Sequence, residues 1–394
     1  MKYAAITDRL AQLGSAKWEV HIRARAMTAA GLPVLSLSIG EPDVPPPPEL
    51  LACARAAMEG GRHGYSNGRG EPGLLAALAT RYSARTGRAI TTNQIACLPG
   101  TQTALYAVMQ TLVGPGDEVL VGDPMYATYE GVIAATGATM VPVPLRPEAG
   151  FRMQAADLAA RVTGRTRLIL LNTPHNPTGA VLTKADVLAI GAVAQAHDLW
   201  ILSDEVYEEL IFDQGAFASP LDAADLAERS IAVASISKSH AAPGFRSGWC
   251  VGPETFIDRL LPVAETMLFG NQPFIADMTA LAVSKPSVVA QDMAVRFARR
   301  ARLIHAMLDG NLLRVHQPDA GMFTVVDIRA TGFSGADFAK RLLDQDLVAV
   351  MPGESFGAGL NGWLRISLTR PDDEIAEACR RIAAFAVRLK GETA

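Results

Sequence analysis

Lys238 stands between two serines in SISKSHAAPGFR (235–246), directly after the β-branched apolar run IAVASI. A lysine amine whose pKa is lowered by burial and a neighbouring cation condenses with an aldehyde to a Schiff base. Ser235, Ser237 and Arg246 would serve a phosphate on the same molecule, the guanidinium offering a bidentate fork. Taken alone, the lysine reads more simply as a side chain snorkelling at a strand end beside a surface arginine.

Other strand ends add partners. Asp204 closes LWILSD, and Tyr207 follows three residues later, so both side chains can lie on one face of a first helical turn. By itself Asp204 reads first as an N-cap for that helix. Facing a ring nitrogen, the same carboxylate would keep the nitrogen protonated. Asn176 sits in NTPHNPTG (172–179), which Pro and Gly alone make a tight turn. GTQTALYAV (100–108) puts Gly100 at a strand end and Thr101 and Gln102 at a helix start, a seat for phosphate on backbone amides. Each of these is weak alone. Together they supply a partner for an aldehyde, a pyridine nitrogen, a phenolic oxygen and a phosphate, which describes pyridoxal 5'-phosphate.

The elements that must hold these residues alternate from about 95 to 255. Short apolar runs (IACLPG, DEVLVGDP, ATMVPVPL, RLILLN, LWILSDEVY, IAVASISK) are interleaved with helical stretches. That alternation predicts a mainly parallel sheet covered on both faces, with ligands beyond the carboxyl ends of its strands, where Gly100, Asp123, Asn172, Asp204 and Lys238 fall. SVVAQDMAVRFARRARLIHAMLDG predicts one amphipathic helix over about 286–310, closed by Gly310. GMFTVVDI, LVAVMPGESF and WLRISL then predict a smaller α+β domain. The first 45 or so residues, ending at the proline-rich EPDVPPPPEL, are expected to pack with that C-terminal part.

Composition narrows the partners. A chain of 394 residues with 49% apolar and 19% charged residues has room for two domains and a deep site. Its formal charge of −4 gives no nucleic-acid footprint. Four scattered cysteines without a CxxC pair indicate neither a disulfide framework nor a metal knuckle, and suit a reducing cytoplasm. No apolar run reaches the roughly 18 residues of a membrane span. GRGEPG (68–73) matches the dinucleotide pattern G-x-G-x-x-G, but no apolar strand precedes it and Pro72 interrupts it, so it reads as a turn.

With these residues in place, the sequence resembles the class I/II aminotransferases, the aspartate-aminotransferase-like enzymes of fold type I. SIGEPD, YSNGRGEPGLLAAL, PGTQTAL, GDPMYATYEG, NTPHNPTGAV, SDEVYEEL, SISKSHAAPGFRSGW and WLRISL carry the resemblance in the family's order over nearly the whole chain. It implies a large domain with a mainly parallel seven-stranded sheet (46–290), a small C-terminal domain (291–394), and an N-terminal segment (1–45) joining the latter.

The resemblance further implies Lys238 as the Schiff-base lysine and proton carrier, and Asp204 at the pyridine nitrogen. Asn176 and Tyr207 would meet the phenolic oxygen, Tyr126 would stack on the ring, and Gly100, Thr101, Gln102, Ser235, Ser237 and Arg246 would line the phosphate. Tyr65 would reach over from the second subunit of a homodimer. Arg365 would clasp the substrate carboxylate beside Gly40, whose backbone must let substrate pass. Ala242 and Pro243 depart from the Met-Thr of many relatives.

The implied activity is transfer of an amino group from an L-amino acid to a 2-oxo acid, pyruvate or 2-oxoglutarate. A β-eliminating carbon–sulfur lyase is the alternative. SKSHA, NTPHNPTG and PMYATYEG resemble arginine–pyruvate transaminases most, with Glu41 and Asp43 as candidate guanidinium partners. Trp18, Ile39 and 269–271 would wall the side-chain pocket.

Overall fold

In a computed structural model of the chain, which describes every residue except Gln12, Ser15, Gln214, Phe269 and Ala394, thirteen strands form three sheets. They are β1 (Leu35–Ser36), β2 (Ile95–Leu98), β3 (Glu118–Asp123), β4 (Thr139–Pro144), β5 (Thr166–Asn172), β6 (Trp200–Asp204) and β7 (Ser230–Ser235). The rest are β8 (Gly248–Val251), β9 (Arg314–Val315), β10 (Phe323–Asp327), β11 (Val348–Ala349), β12 (Met351–Pro352) and β13 (Trp363–Ser367).

The large sheet runs in the order β2-β8-β7-β6-β5-β3-β4. Only β8 opposes its neighbours, so the carboxyl ends of β2, β3, β5, β6 and β7 open along one edge. β7 is buried at every position because helices cover both faces, which is why IAVAS has no polar alternation. Apolar clusters fill the two sides: Val121, Leu202 and Val233 on one, and Leu120, Ile169 and Ile201 on part of the other.

A four-stranded antiparallel sheet, β12-β13-β10-β9, belongs to the C-terminal part. Arg365 lies mid-strand in β13, paired in register with Val325 and Met351. A buried cluster containing Phe297, Phe338 and Phe385 packs against this sheet. The helix expected over 286–310 spans Val288–Leu308. Ser287 caps its start, and Asp309 rather than Gly310 ends it, since the Gly310 amide turns away to the Leu313 carbonyl at 2.8 Å.

The first 45 residues divide between the two bodies. Helix Glu19–Ala29 adjoins helix Gly335–Asp346, with Arg23 paired to Asp344 at 2.6 Å, and β1 runs parallel to β11. Helix Ala5–Leu10 departs from the expectation. It lies on helix Tyr129–Thr136, where the Arg9 guanidinium donates to the Ala134 and Ala135 carbonyls at that helix's C-terminus. The chain then crosses from one body to the other through Lys17, paired with Glu130, and Trp18.

Candidate active site

A cleft of about 250 Å³ lies at the carboxyl edge of the large sheet and is closed on its far side by Phe323 and Arg365 of the smaller one. Its walls include Gly40, Thr101, Gln102, Tyr126, Asn176, Asp204, Tyr207, Ser235, Ser237, Lys238 and Arg246. Residues dispersed over more than 300 positions of sequence thus converge because successive strands end side by side.

Lys238 lies on a one-turn helix, Ile236–Ser239, that follows β7. The Ser235 hydroxyl accepts from the Ser237 amide and fixes the start of that turn. The amine donates to the Gly40 carbonyl at 2.8 Å. Burial pulls its pKa down to about 8, with Arg365 and Arg246 pushing the same way and Glu41 opposing them. A useful fraction of free amine therefore exists near neutral pH.

Asp204 ends β6, but no helix follows it; residues 206–209 form a turn. Its carboxylate is no cap. One oxygen accepts from the Val206 amide at 3.3 Å and the other from the Tyr129 hydroxyl at 2.7 Å. Burial raises its pKa to about 6, and both donors counter the rise. The turn brings Tyr207 round to Asn176, whose amide nitrogen lies 3.4 Å from the phenol. Asn172 braces this arrangement: its side chain accepts from the Asn176 amide at 2.8 Å and donates to the Asp204 carbonyl at 3.1 Å. Asp123, the remaining strand-end residue, points elsewhere and accepts from the Gly359 amide.

Two cationic seats flank the cleft. At one, Gly100 has φ of 84° and opens helix Thr101–Leu112; a Cβ there would lie 2.2 Å from Arg246 Nη2, so only glycine lets the guanidinium lie against the helix start. The Thr101 hydroxyl is buried without a partner, so it can donate to an anionic oxygen. At the other, Arg365 is held between the rings of Phe323 and Phe356, 3.9 Å and 4.3 Å from their centroids. Its guanidinium donates to the Ser38 carbonyl at 2.6 Å and to Asn176 Oδ1 at 3.2 Å, and its buried Nε has no partner. Burial pulls the Arg365 pKa down to about 9, so a carboxylate is the missing complement.

Gly40 lines the cleft and also packs closely on Phe323. A Cβ would meet Phe323 Cζ at 2.2 Å, so the glycine serves the packing of that ring beneath Arg365. Tyr65 is 94% exposed and does not line its own chain's cleft. Trp18 and Ile39 line it; Phe269 lies outside the described residues, and Asn271 is buried beside Ser247 instead. Asp43 cannot serve a substrate guanidinium, because Arg296 and Arg300 already occupy both its oxygens. Tyr129 escaped the sequence reading. Its three-residue spacing from Tyr126 in PMYATYEG was the available signal, since the helix beginning there carries it behind Asp204.

The residues fit a phosphorylated pyridine aldehyde: an amine of lowered pKa, a buried carboxylate for a ring nitrogen, a phenol and amide pair, and an anion seat. The family comparison agrees, because residues 33–382 match the family described as aminotransferase class I and II. The chain belongs to that family. An arginine–pyruvate transaminase of Pseudomonas aeruginosa is 44% identical over 393 residues, covering 100% of both chains. An aspartate/prephenate aminotransferase of Cereibacter sphaeroides is 32% identical over 98% of this chain and 100% of its own. The solved aspartate aminotransferase of Rhizobium meliloti superposes with a TM-score of 0.92 at 29% identity, covering 98% of this chain and 99% of that one.

The protein is therefore a fold type I transaminase that uses pyridoxal 5'-phosphate. The lyase alternative gains no support from these relatives. Among the described residues no helix is long and apolar enough to cross a membrane.

Proposed function

We propose that Lys238 bonds the cofactor and carries the substrate's Cα proton in an arginine–pyruvate type of transamination. Pyridoxal 5'-phosphate supplies the aldehyde that bonds amines and the ring that takes up the electron pair left at Cα. Asp204 would pair with the ring nitrogen, Tyr207 and Asn176 would hydrogen-bond the phenolic oxygen, and Tyr126 would pack on the ring. Gly100, Thr101, Gln102, Ser235, Ser237 and Arg246 would hold the phosphate. Arg365 would clamp the α-carboxylate and so aim the Cα–H bond at Lys238. Lys238, its pKa pulled down to about 8, is fit to accept that proton and to return it.

The observation that carries the choice of acceptor is the count of guanidinium groups in the cleft. Arg246 and Arg365 are the arginines among its lining residues. With Arg246 assigned to the phosphate, one remains, which suits a monocarboxylic acceptor such as pyruvate better than 2-oxoglutarate. The 44% identity to an arginine–pyruvate transaminase supports the cationic donor. A panel of L-amino acids against pyruvate and 2-oxoglutarate tests both choices. Turnover confined to aspartate with 2-oxoglutarate would overturn this reading.

We also infer a cytoplasmic homodimer. Four free cysteines suit a reducing compartment, and the exposure of Tyr65 suits a side chain that completes a partner's phosphate site.

A further inference from the structure

Lys238 sits near the end of a helix of a single turn, and such a turn leaves its last carbonyl without an amide of its own to meet. The Ser239 carbonyl meets the Ser287 hydroxyl at 2.6 Å, 48 residues away and buried. The same hydroxyl accepts from the Ala290 amide at 3.1 Å and so caps the 21-residue helix Val288–Leu308 that leads into the C-terminal body. The Ser287 backbone is itself pinned: its amide donates to Glu209 at 2.9 Å, and the other Glu209 oxygen takes Arg81 of helix Pro72–Thr86 at 2.9 Å. Glu209 lies two residues after Tyr207, and on the near side the Ser239 hydroxyl bonds His240 Nδ1 at 2.9 Å. One side-chain oxygen thus joins the lysine turn to the helix that carries the chain from the Lys238 body to the Arg365 body.

We propose that Ser287 is a positioning residue that fixes Lys238 relative to the Arg365-bearing body. The inference rests on Lys238 being the cofactor lysine. Arg365 orients the substrate from the C-terminal body, while Lys238 must meet the substrate's proton from the large one, so the relative placement of the two bodies sets the proton's path. A hydroxyl that donates to the lysine turn and accepts from the connecting helix removes slack between them. The charged groups that face the amine, Glu41, Arg365 and Arg246, are untouched by changes at position 287.

The test uses the holoenzyme and a matched pair of substitutions. Threonine and glycine are comparable N-caps, but only threonine keeps the hydroxyl. Ser287 has φ of −78°, which both accept. In Ser287→Thr the visible cofactor band should titrate with the wild-type midpoint. In Ser287→Gly the loosened turn admits water to the protonated Schiff-base nitrogen of Lys238, and the midpoint should rise by roughly half to one pH unit. The isotope effect on kcat/KM with Cα-deuterated donor should grow in the glycine variant alone. Identical midpoints and isotope effects in the two variants would overturn the proposal, leaving only helix capping at Ser287. A visible band in Lys238→Ala that borohydride still fixes covalently to the protein would instead overturn the assignment of Lys238.

Discussion

The Tyr129 hydroxyl donates to Asp204 Oδ2 at 2.7 Å, and both groups are buried. This bond is the largest influence holding the Asp204 pKa down against burial, and without it the carboxyl would sit above about 6. Replacing Tyr129 with Phe removes a donor worth about 1.5–3 kcal/mol to a charged acceptor, or roughly one to two pH units. Asp204 must be ionised to pair with a protonated ring nitrogen, so the acid limb of kcat/KM should move to higher pH. A pH–rate profile checks the shift; an unmoved acid limb would mean that Asp204 is not the group titrating there.

Lys238→Ala should bind phosphate-bearing cofactor through Arg246 yet show no visible band from a lysine bond. Turnover should fall by at least about 10²- to 10⁴-fold, the usual loss when a general acid–base is removed. Absorption spectra with single-turnover assays measure both.

Cofactor uptake by the apoprotein has a pH dependence set by the same amine. Its pKa is lowered from the usual lysine range to about 8, so the free amine appears as pH rises through 8. The rate at which the visible band grows after mixing should climb over about pH 7–9 and level off above. A rate still climbing steeply beyond pH 10 would show an amine of ordinary basicity.

Arg365→Lys keeps the charge but gives up the planar fork and the stacking between Phe323 and Phe356. KM for the amino donor should increase about tenfold to a hundredfold, in line with losing about 1.5–3 kcal/mol of charge-assisted hydrogen bonding. Steady-state kinetics with donor varied checks this, and an unchanged KM would free Arg365 from carboxylate binding.

Gly40→Ala forces a methyl group into the Phe323 ring, where Cζ would lie 2.2 Å away. Overpacking of this kind costs about 1–3 kcal/mol, and here it also displaces the carbonyl that accepts from Lys238. The variant should melt several degrees lower and bind the cofactor more weakly, which calorimetry and fluorescence titration would record.

Much of the site could be read from sequence because strand ends in a parallel sheet converge by geometry. Once LWILSD, NTPHNPTG and IAVASISK read as strand ends, Asp204, Asn176 and Lys238 had to share an edge. What escaped were contacts fixed by the packing of separate elements. Tyr129 reaches Asp204 through the pitch of a helix start, and Asp43 meets Arg296 and Arg300 across 253 and 257 residues. The turn after Asp204 was misread as helical because Glu-Val-Tyr-Glu-Glu-Leu carries no breaker; Arg81 and Arg85 draw Glu208 and Glu209 towards helix Pro72–Thr86 instead. The split of the N-terminal segment likewise depends on Arg9 finding exposed carbonyls, which periodicity does not encode.

The strip of backbone at Ser38 and Gly40 accepts from both Arg365 and Lys238, so the cleft joins the beginning of the chain to its end. During synthesis this strip leaves the ribosome long before β13 exists, so the Arg365 partner of Ser38 arrives only after more than 300 residues have followed. The lysine edge of the large sheet can assemble in that interval, since its strands are already made.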